Sequence, residues 1–261
     1  MVPAVNVEWP IIAERIFSPG QEFWRALATT ISIAIIAQLL GIMLGLVSAL
    51  AGLSRLRPVR VLSAAYVLFV RGTPLIVQIF FIFFGANLFF GFSLFPREVM
   101  IAGLTVSGAI LAGIVALAFN EGAYMSEIIR AGIQAVDPGQ MEAALSVGMT
   151  RPLAMRRIVL PQAARVIVPP LGNEFNGMIK NTSLLAFIGV YEMFFDAERH
   201  YSTTFQPVEY FMAVAFWYLV LTTIWSFIQA QIERKLNPAE EPDTGAGVLG
   251  RVRRLQWGRA H

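Results

Sequence analysis

Two basic side chains, Arg71 and Lys180, and two acidic ones, Glu121 and Glu174, stand inside long apolar runs. A charge in such a place is costly, so it either faces a wet interior where it can bind a ligand, or it is held in a structural ion pair. For Arg71 and Lys180 the acids available for pairing are Glu121, Glu127 and Glu174. Thr73, Asn120, Tyr124, Asn173, Thr182 and Ser183 add hydroxyl, amide and phenol groups to the same runs, suited to a ligand or, more readily for any one of them, to a neighbouring helix. Asn181-Thr182-Ser183 also spells a glycosylation acceptor, but within an apolar run it is inaccessible.

Catalytic chemistry finds little to stand on. The lysines are Lys180 and Lys235, neither preceded by glycine, so the chain has no G-x-x-x-x-G-K-[ST] loop to cradle phosphates. His200 and His261 lack metal-ligand spacing, and without cysteine there is no thiolate site, thiol nucleophile or disulfide. We expect no catalytic residue, and no cofactor or metal bound by this chain.

A polar, basic island, Asp137 to Arg165, interrupts the apolar runs. Asp137, Pro138 and Gln140 read as a helix start, with the aspartate capping, proline at the first position and glutamine three residues on as in a capping box. Met141, Ala144, Leu145 and Gly148 then recur at i, i+3, i+4 and i+7, an apolar face able to dock on a partner, with Glu142 off that stripe. Gly148 breaks the helix. Thr150 with Pro152 starts a second one, carrying Arg156 and Arg157, and Leu160-Pro161 hands the chain to the next apolar segment.

The elements that position these groups must be membrane helices. Of 261 residues, 56% are hydrophobic and only 14% charged, and several runs reach the roughly 20 apolar residues that cross a bilayer core. The spans expected are Arg25 to Leu53, with Gly41 and Gly45 at a spacing that permits close packing; Val61 to Phe90, broken at Arg71-Gly72-Thr73-Pro74; Met100 to Tyr124; Pro161 to Val190, with irregular backbone at Pro169-Pro170; and Val208 to Phe227. Residues 1–24 read as an external interfacial segment, 25–236 as the transmembrane domain with its loop at 137–161, and 237–261 as a flexible tail. The opening MVPAVNVEWPIIAERIF lacks a basic region followed by a compact apolar one, so no cleavable signal peptide is expected. With the Asp137 island inside, the external segments hold only Arg15, Arg25, Arg97 and Arg199, and most basic residues fall inside. That asymmetry puts the N-terminus outside and the C-terminus inside, and it assigns the basic tail to topology or anionic lipid rather than to nucleic acid.

Glu142-Ala143-Ala144, Gly148, Ile158, Leu160 and Pro161 follow the pattern E-A-A-x3-G-x9-I-x-L-P, and in this the chain resembles the permeases of bacterial ABC importers. Arg71-Gly72-Thr73-Pro74, Ala123-Tyr124, Ser126 to Arg130, Gly139-Gln140 and Lys180 to Leu184 look like the polar amino acid branch of that family, the histidine, glutamine, arginine and glutamate type; the likeness runs from about Phe23 to Pro238. The resemblance implies an all-α membrane protein of five transmembrane helices, the type I ABC importer permease fold with a cytoplasmic coupling helix, in the bacterial inner membrane. It implies ATPase coupling through Glu142, Ala143, Ala144, Gly148, Arg156 and Arg157. It also implies a substrate pathway in which Arg71 and Lys180 meet a carboxylate and Glu121 and Glu174 an ammonium, beside Thr73, Asn120, Tyr124, Thr182 and Ser183. The implied partners are two ATP-binding cassette subunits carrying ATP and Mg, a second permease, an extracytoplasmic substrate-binding protein, an amino acid and membrane lipid. Two other classes stay open on the residues: an ion-coupled secondary transporter using Glu121 or Glu174, and a membrane anchor subunit. Against the former, no second copy of the RGTP or EAA words is present.

Overall fold

The computed structural model describes residues 7–85, 88, 91, 94–101 and 103–236. The expected tail at 237–261 and the first six residues of the expected interfacial segment lie outside them. The first helix of the described residues is α1 (Trp9–Phe17), started by a proline in its first turn. It lies against the last helix, α10 (Pro207–Leu236): the Glu8 N–H donates to Glu209 at 3.0 Å, the Trp217 indole donates to the Arg15 carbonyl at 3.4 Å, and the Arg15 guanidinium sits 5.0 Å from the Tyr210 ring. Trp9 and Phe17 are left exposed, as suits a helix at an interface.

The first long helix, α2 (Gln21–Gly52), begins ahead of the expected Arg25 and packs along α5 (Gly108–Gln134). The two glycines of the GxxxG spacing both face that helix. A β-carbon on Gly41 would stand 2.6 Å from Glu121 Cγ, so only glycine permits this approach. Ile33, Ala34 and Ala37 of α2 continue the seam into the main core, with Ile79, Leu117, Met178 and Leu185.

Next come α3 (Arg57–Arg71) and α4 (Leu75–Phe80), bent by 108° at the Gly72-Thr73-Pro74 break, with a wider turn at Phe81–Gly85. The kink expected at Pro74 is there, and proline explains it, having no N–H to continue the ladder. The third span does not begin at Met100. Residues Glu98–Ile101 (β1) and Leu104–Ser107 (β2) form an antiparallel hairpin, turned at Gly103 with φ +82°, and α5 starts only at Gly108. Val99 pairs with Val106 and Met100 with Thr105, so the apolar residues read as the start of a span belong to a ribbon of alternating, β-branched character. Ser107 caps α5 by accepting the Ala109 N–H at 3.2 Å. A helix-only reading of the fold is corrected to that extent.

After α5 the polar island folds as α6 (Pro138–Ser146) and α7 (Arg151–Ala154). At Leu160-Pro161 the second helix is handed to the next segment without a gap. It passes through a π-turn, Met155–Val159, directly into α8 (Leu160–Asn181), because Pro161 offers no N–H to the Arg157 carbonyl and the ladder widens there, with Leu160 N–H bonding Met155. Pro169 and Pro170 lie within continuous helix, contrary to the irregular backbone expected. Cross-links hold that stretch: the Gln229 amide donates to the Pro169 carbonyl at 3.1 Å and the Trp225 indole to that of Gly172 at 2.8 Å. The irregularity comes later, as a 3-10 turn over Thr182–Ile188 ended by Gly189 at φ +79°. A short helix, α9 (Met193–Thr204), then leads to α10.

Three helices, α2, α5 and α10, are long and apolar enough to cross a bilayer, and the bent α3–α4 pair makes a fourth if it counts as one span. Five apolar spans are therefore not evident among the described residues. The expected fourth span, α8, carries Arg165, Glu174 and Lys180 along 22 residues and falls short on composition.

Candidate functional site

The break between α3 and α4 is fastened to one face of α5. Arg71 ends α3 exposed, its guanidinium 5.2 Å from the centroid of the Tyr124 ring. One turn earlier on α5, the Asn120 amide donates to Gln78 Oε1 at 3.0 Å. Gln78 Nε2 in turn donates to the carbonyls of Val70 (2.8 Å) and Thr73 (3.1 Å) and to the Thr73 hydroxyl (2.8 Å), which itself donates to Phe69 O at 2.9 Å. Glu121 is buried on the other side of α5, accepting from Gln38 Nε2 at 2.8 Å. The structure thus brings Arg71, Thr73, Asn120 and Tyr124 together and turns Glu121 into the α2 seam.

Among the described residues the ion pairs are Arg130–Glu127, Arg199–Glu22 and the His200–Asp196 contact, so neither Arg71 nor Lys180 is bonded to an acid. The structural pairing considered for them is not made among the described residues. On α8, Asn173 and Lys180 are exposed seven residues apart, hence on one face. Thr182 and Ser183 are spent locally: their hydroxyls donate to the carbonyls of Ile179 and Lys180, each at 2.7 Å.

The polar island makes a helix–turn–helix. Asp137 caps α6 through its side chain, which accepts the Gly139 N–H at 2.8 Å, but the reciprocal half of a capping box is absent, and Gln140 Oε1 accepts instead from Gln162 Nε2 at 3.4 Å. Gly148 sits at φ +86°, a conformation that bars most side chains, and there the helix ends. The apolar stripe is turned toward the chain itself: Ala144 is buried and Met141 and Leu145 are half-buried, on a helix that packs against the Met155–Val159 turn. What faces outward is Glu142, Ala143, Ser146 and Val147, the last 79% exposed, with Arg156 and Arg157 also exposed nearby.

Sequence reasoning passed over Gln78, and also over a cluster at the opposite end of the molecule. Glu192, fully buried, accepts from Tyr218 at 2.8 Å, from Thr30 at 3.4 Å and from the Phe195 N–H at 2.8 Å, tying α2, α9 and α10 together. Burial pushes its carboxyl up to about 7, the hydrogen bonds opposing that rise. Beside it the Tyr191 hydroxyl, raised by burial and by its bond to Asp196, completes a second closed contact. The signal available in the sequence was only an acid before a helix, the capping pattern that Glu192 indeed adopts.

Comparison with known proteins places these features. Residues 41–238 match the family described as binding-protein-dependent transport system inner membrane component. The chain is 40% identical over 213 residues to the probable amino-acid permease protein YxeN of Bacillus subtilis, covering 82% of this chain and 90% of that one. It is 38% identical over 222 residues to the L-cystine transport system permease protein TcyB of the same organism, covering 83% and 89%. Among solved structures, an amino acid ABC transporter crystallised with histidines superposes with a TM-score of 0.75 at 36% identity, covering 88% of this chain and 99% of that one. The MetNI methionine ABC transporter, at 16% identity and a TM-score of 0.67, shares the fold. The hinge at Pro74, the Gly148 turn and the helices around them all lie within the matched region, and the chain belongs to the binding-protein-dependent transport system inner membrane components.

Proposed function

We propose that this chain is the membrane-spanning permease subunit of an ATP-driven importer for polar amino acids. The observation that carries the reading is the α6–α7 element, a helix–turn–helix whose outer face, Glu142, Ala143 and Val147 with Arg156 and Arg157 beside it, is left exposed by the described residues. A pathway that holds no phosphate-binding loop must receive mechanical work from another subunit, and an exposed element packed on the root of α8 is suited to deliver it. The names of the relatives support an amino acid as cargo. The partners are two ATPase subunits that bind ATP and Mg, a second permease, an extracytoplasmic binding protein and the lipid of the bacterial inner membrane.

In this reading α8 is a fifth span, its charges covered by the pathway it lines, and α6 is the coupling helix on the cytoplasmic side. The substrate's carboxylate meets Arg71 and Lys180, and its ammonium group meets Glu174, with Glu121 behind; Thr73, Asn120 and Tyr124 line the approach, while Thr182 and Ser183 shape the end of α8. Affinity purification of the full chain from the membrane tests the reading: an ATPase co-elutes in stoichiometric amount, and its dissociation by Glu142 and Val147 substitutions maps the contact. A chain that purifies alone from every mild detergent would overturn it.

A further inference from the structure

In a helix the carbonyl of residue 70 receives the N–H of residue 74, but residue 74 is proline and has none. In an apolar setting an orphaned carbonyl is expensive, and a chain so broken is expected to be pliable unless something fills the gap. Gln78, one turn further on and 5% exposed, fills it: its Nε2 lies 2.8 Å from Val70 O and reaches the Thr73 carbonyl and hydroxyl as well. The opposite end of the same amide accepts from Asn120, so every polar atom of Gln78 is engaged and the group has one orientation.

That bond reaches α5 at Asn120, and Arg71 reaches the same helix four residues on, at Tyr124. These two contacts on successive turns of one face seat the break against α5, while the bonds from Gln78 to Val70 and Thr73 set its angle. We propose that Gln78 is a positioning residue: by standing in for the N–H that Pro74 lacks, it fixes the 108° bend and so holds the Arg71 guanidinium over Tyr124, where it meets the substrate. Its effect on transport is exerted through Arg71, a role that rests on the pathway proposed above; its effect on the bend does not.

The natural chain contains no cysteine, so two can be placed at will. Spin labels at Leu62→Cys and Phe84→Cys, 73% and 56% exposed on either side of the break, report the bend by pulsed electron resonance in the purified complex. The parent gives a narrow distance distribution; Gln78→Met, which keeps the shape but cannot donate, widens it at least twofold. Asn120→Leu leaves the three bonds at the break intact and keeps the distribution narrow, a control that also guards against general loosening. A narrow distribution in Gln78→Met, or equal broadening in both variants, overturns the proposal whether or not transport is seen. For the second part, uptake is measured with the labelled amino acid that the parent complex takes up fastest from a 14C-labelled mixture. Gln78→Met raises KM about tenfold with kcat held, but changes it less than twofold when Arg71→Ala is already present. Equal effects in both backgrounds would show that Gln78 does not act through Arg71, and a parent complex that takes up nothing would count against the transport reading while the distances still decide the bend.

Discussion

Gly45 lies so close to Met125 that a β-carbon placed on it would stand 2.3 Å from Met125 Cβ and 3.0 Å from the Gly122 carbonyl. The approach of α2 to α5 is thus set by backbone against backbone, with little room for side chains to give way. Replacing Gly45 by valine forces the two helices apart, and overpacking of this kind costs about 1–3 kcal/mol. The melting temperature of the detergent-solubilised protein is expected to fall by several degrees, whereas Gly177→Ala, whose added β-carbon meets nothing within 4 Å in mid-helix, does not lower it. Equal stability of the Gly45 variant and the parent would contradict the packing described.

The turn between α6 and α7, proposed above to couple to the ATPase, yields to a different test, because Gly148 is constrained by conformation and not by neighbours: its φ is +86° and a β-carbon added there would meet nothing within 4 Å. A β-branched residue there is strained by roughly 1–2 kcal/mol and distorts the turn, while asparagine, which tolerates left-handed backbone, is milder. Gly148→Val is expected to abolish uptake and to uncouple ATP hydrolysis from substrate, Gly148→Asn to retain much of both. Glu142→Ala, losing one charge-assisted contact, should lower uptake about tenfold, equivalent to ~1.4 kcal/mol. Normal, substrate-stimulated hydrolysis in the valine variant would remove this turn from the account.

The sequence carried much of this and missed specific parts for specific reasons. The turn at Gly148, the break at Pro74 and the glycine seam of α2 were legible, since each rests on a residue with no substitute for its conformation or its size. The hairpin at Glu98–Ser107 was not, because an apolar run with β-branched residues looks alike as a strand or as the start of a span until its partner strand is known. Pro169-Pro170 misled in the other direction: bonds from Gln229 and Trp225, sixty and fifty-three positions away, brace a helix that local preference would break. The stripe of α6 was read with the right period and the wrong neighbour, since periodicity says which residues share a face and not what covers it. Gln78 could have been found by asking which side chain, one turn beyond a proline, satisfies the carbonyl left open.

Glu192 makes stability depend on pH in a definite sense. Its carboxyl, at about 7 when folded, lies above the ordinary carboxylate value, so the neutral form is the one the fold prefers. Its contribution is complete below about 4.5 and is lost as pH rises through 7, a span on the order of 3 kcal/mol at ~1.4 kcal/mol for each unit. Unfolding of the solubilised protein should become easier between pH 5 and pH 8, and Glu192→Gln, neutral throughout, should flatten that part of the profile. An unchanged profile in the glutamine variant would count against the burial argument.

Topology follows from charge and is read directly by fusions. A reporter active only in the cytoplasm is expected to work after Gln140 and to fail after Thr204, since the Asp137 island is rich in arginine and the α9 connector is not. Activity at both positions would mean that α8 does not cross the membrane and that the five-span reading is wrong.

The central claim is that transport through this chain is driven by ATP hydrolysed on another subunit. Proteoliposomes holding the purified complex and its binding protein, loaded internally with ATP and Mg, decide it when supplied with a 14C-labelled amino acid mixture outside. The account predicts accumulation that requires ATP, stops when the ATPase is inhibited and survives ionophores that collapse ion gradients. Accumulation without ATP, driven by an imposed proton or sodium gradient and abolished by ionophore, would contradict it and make the chain a gradient-driven carrier.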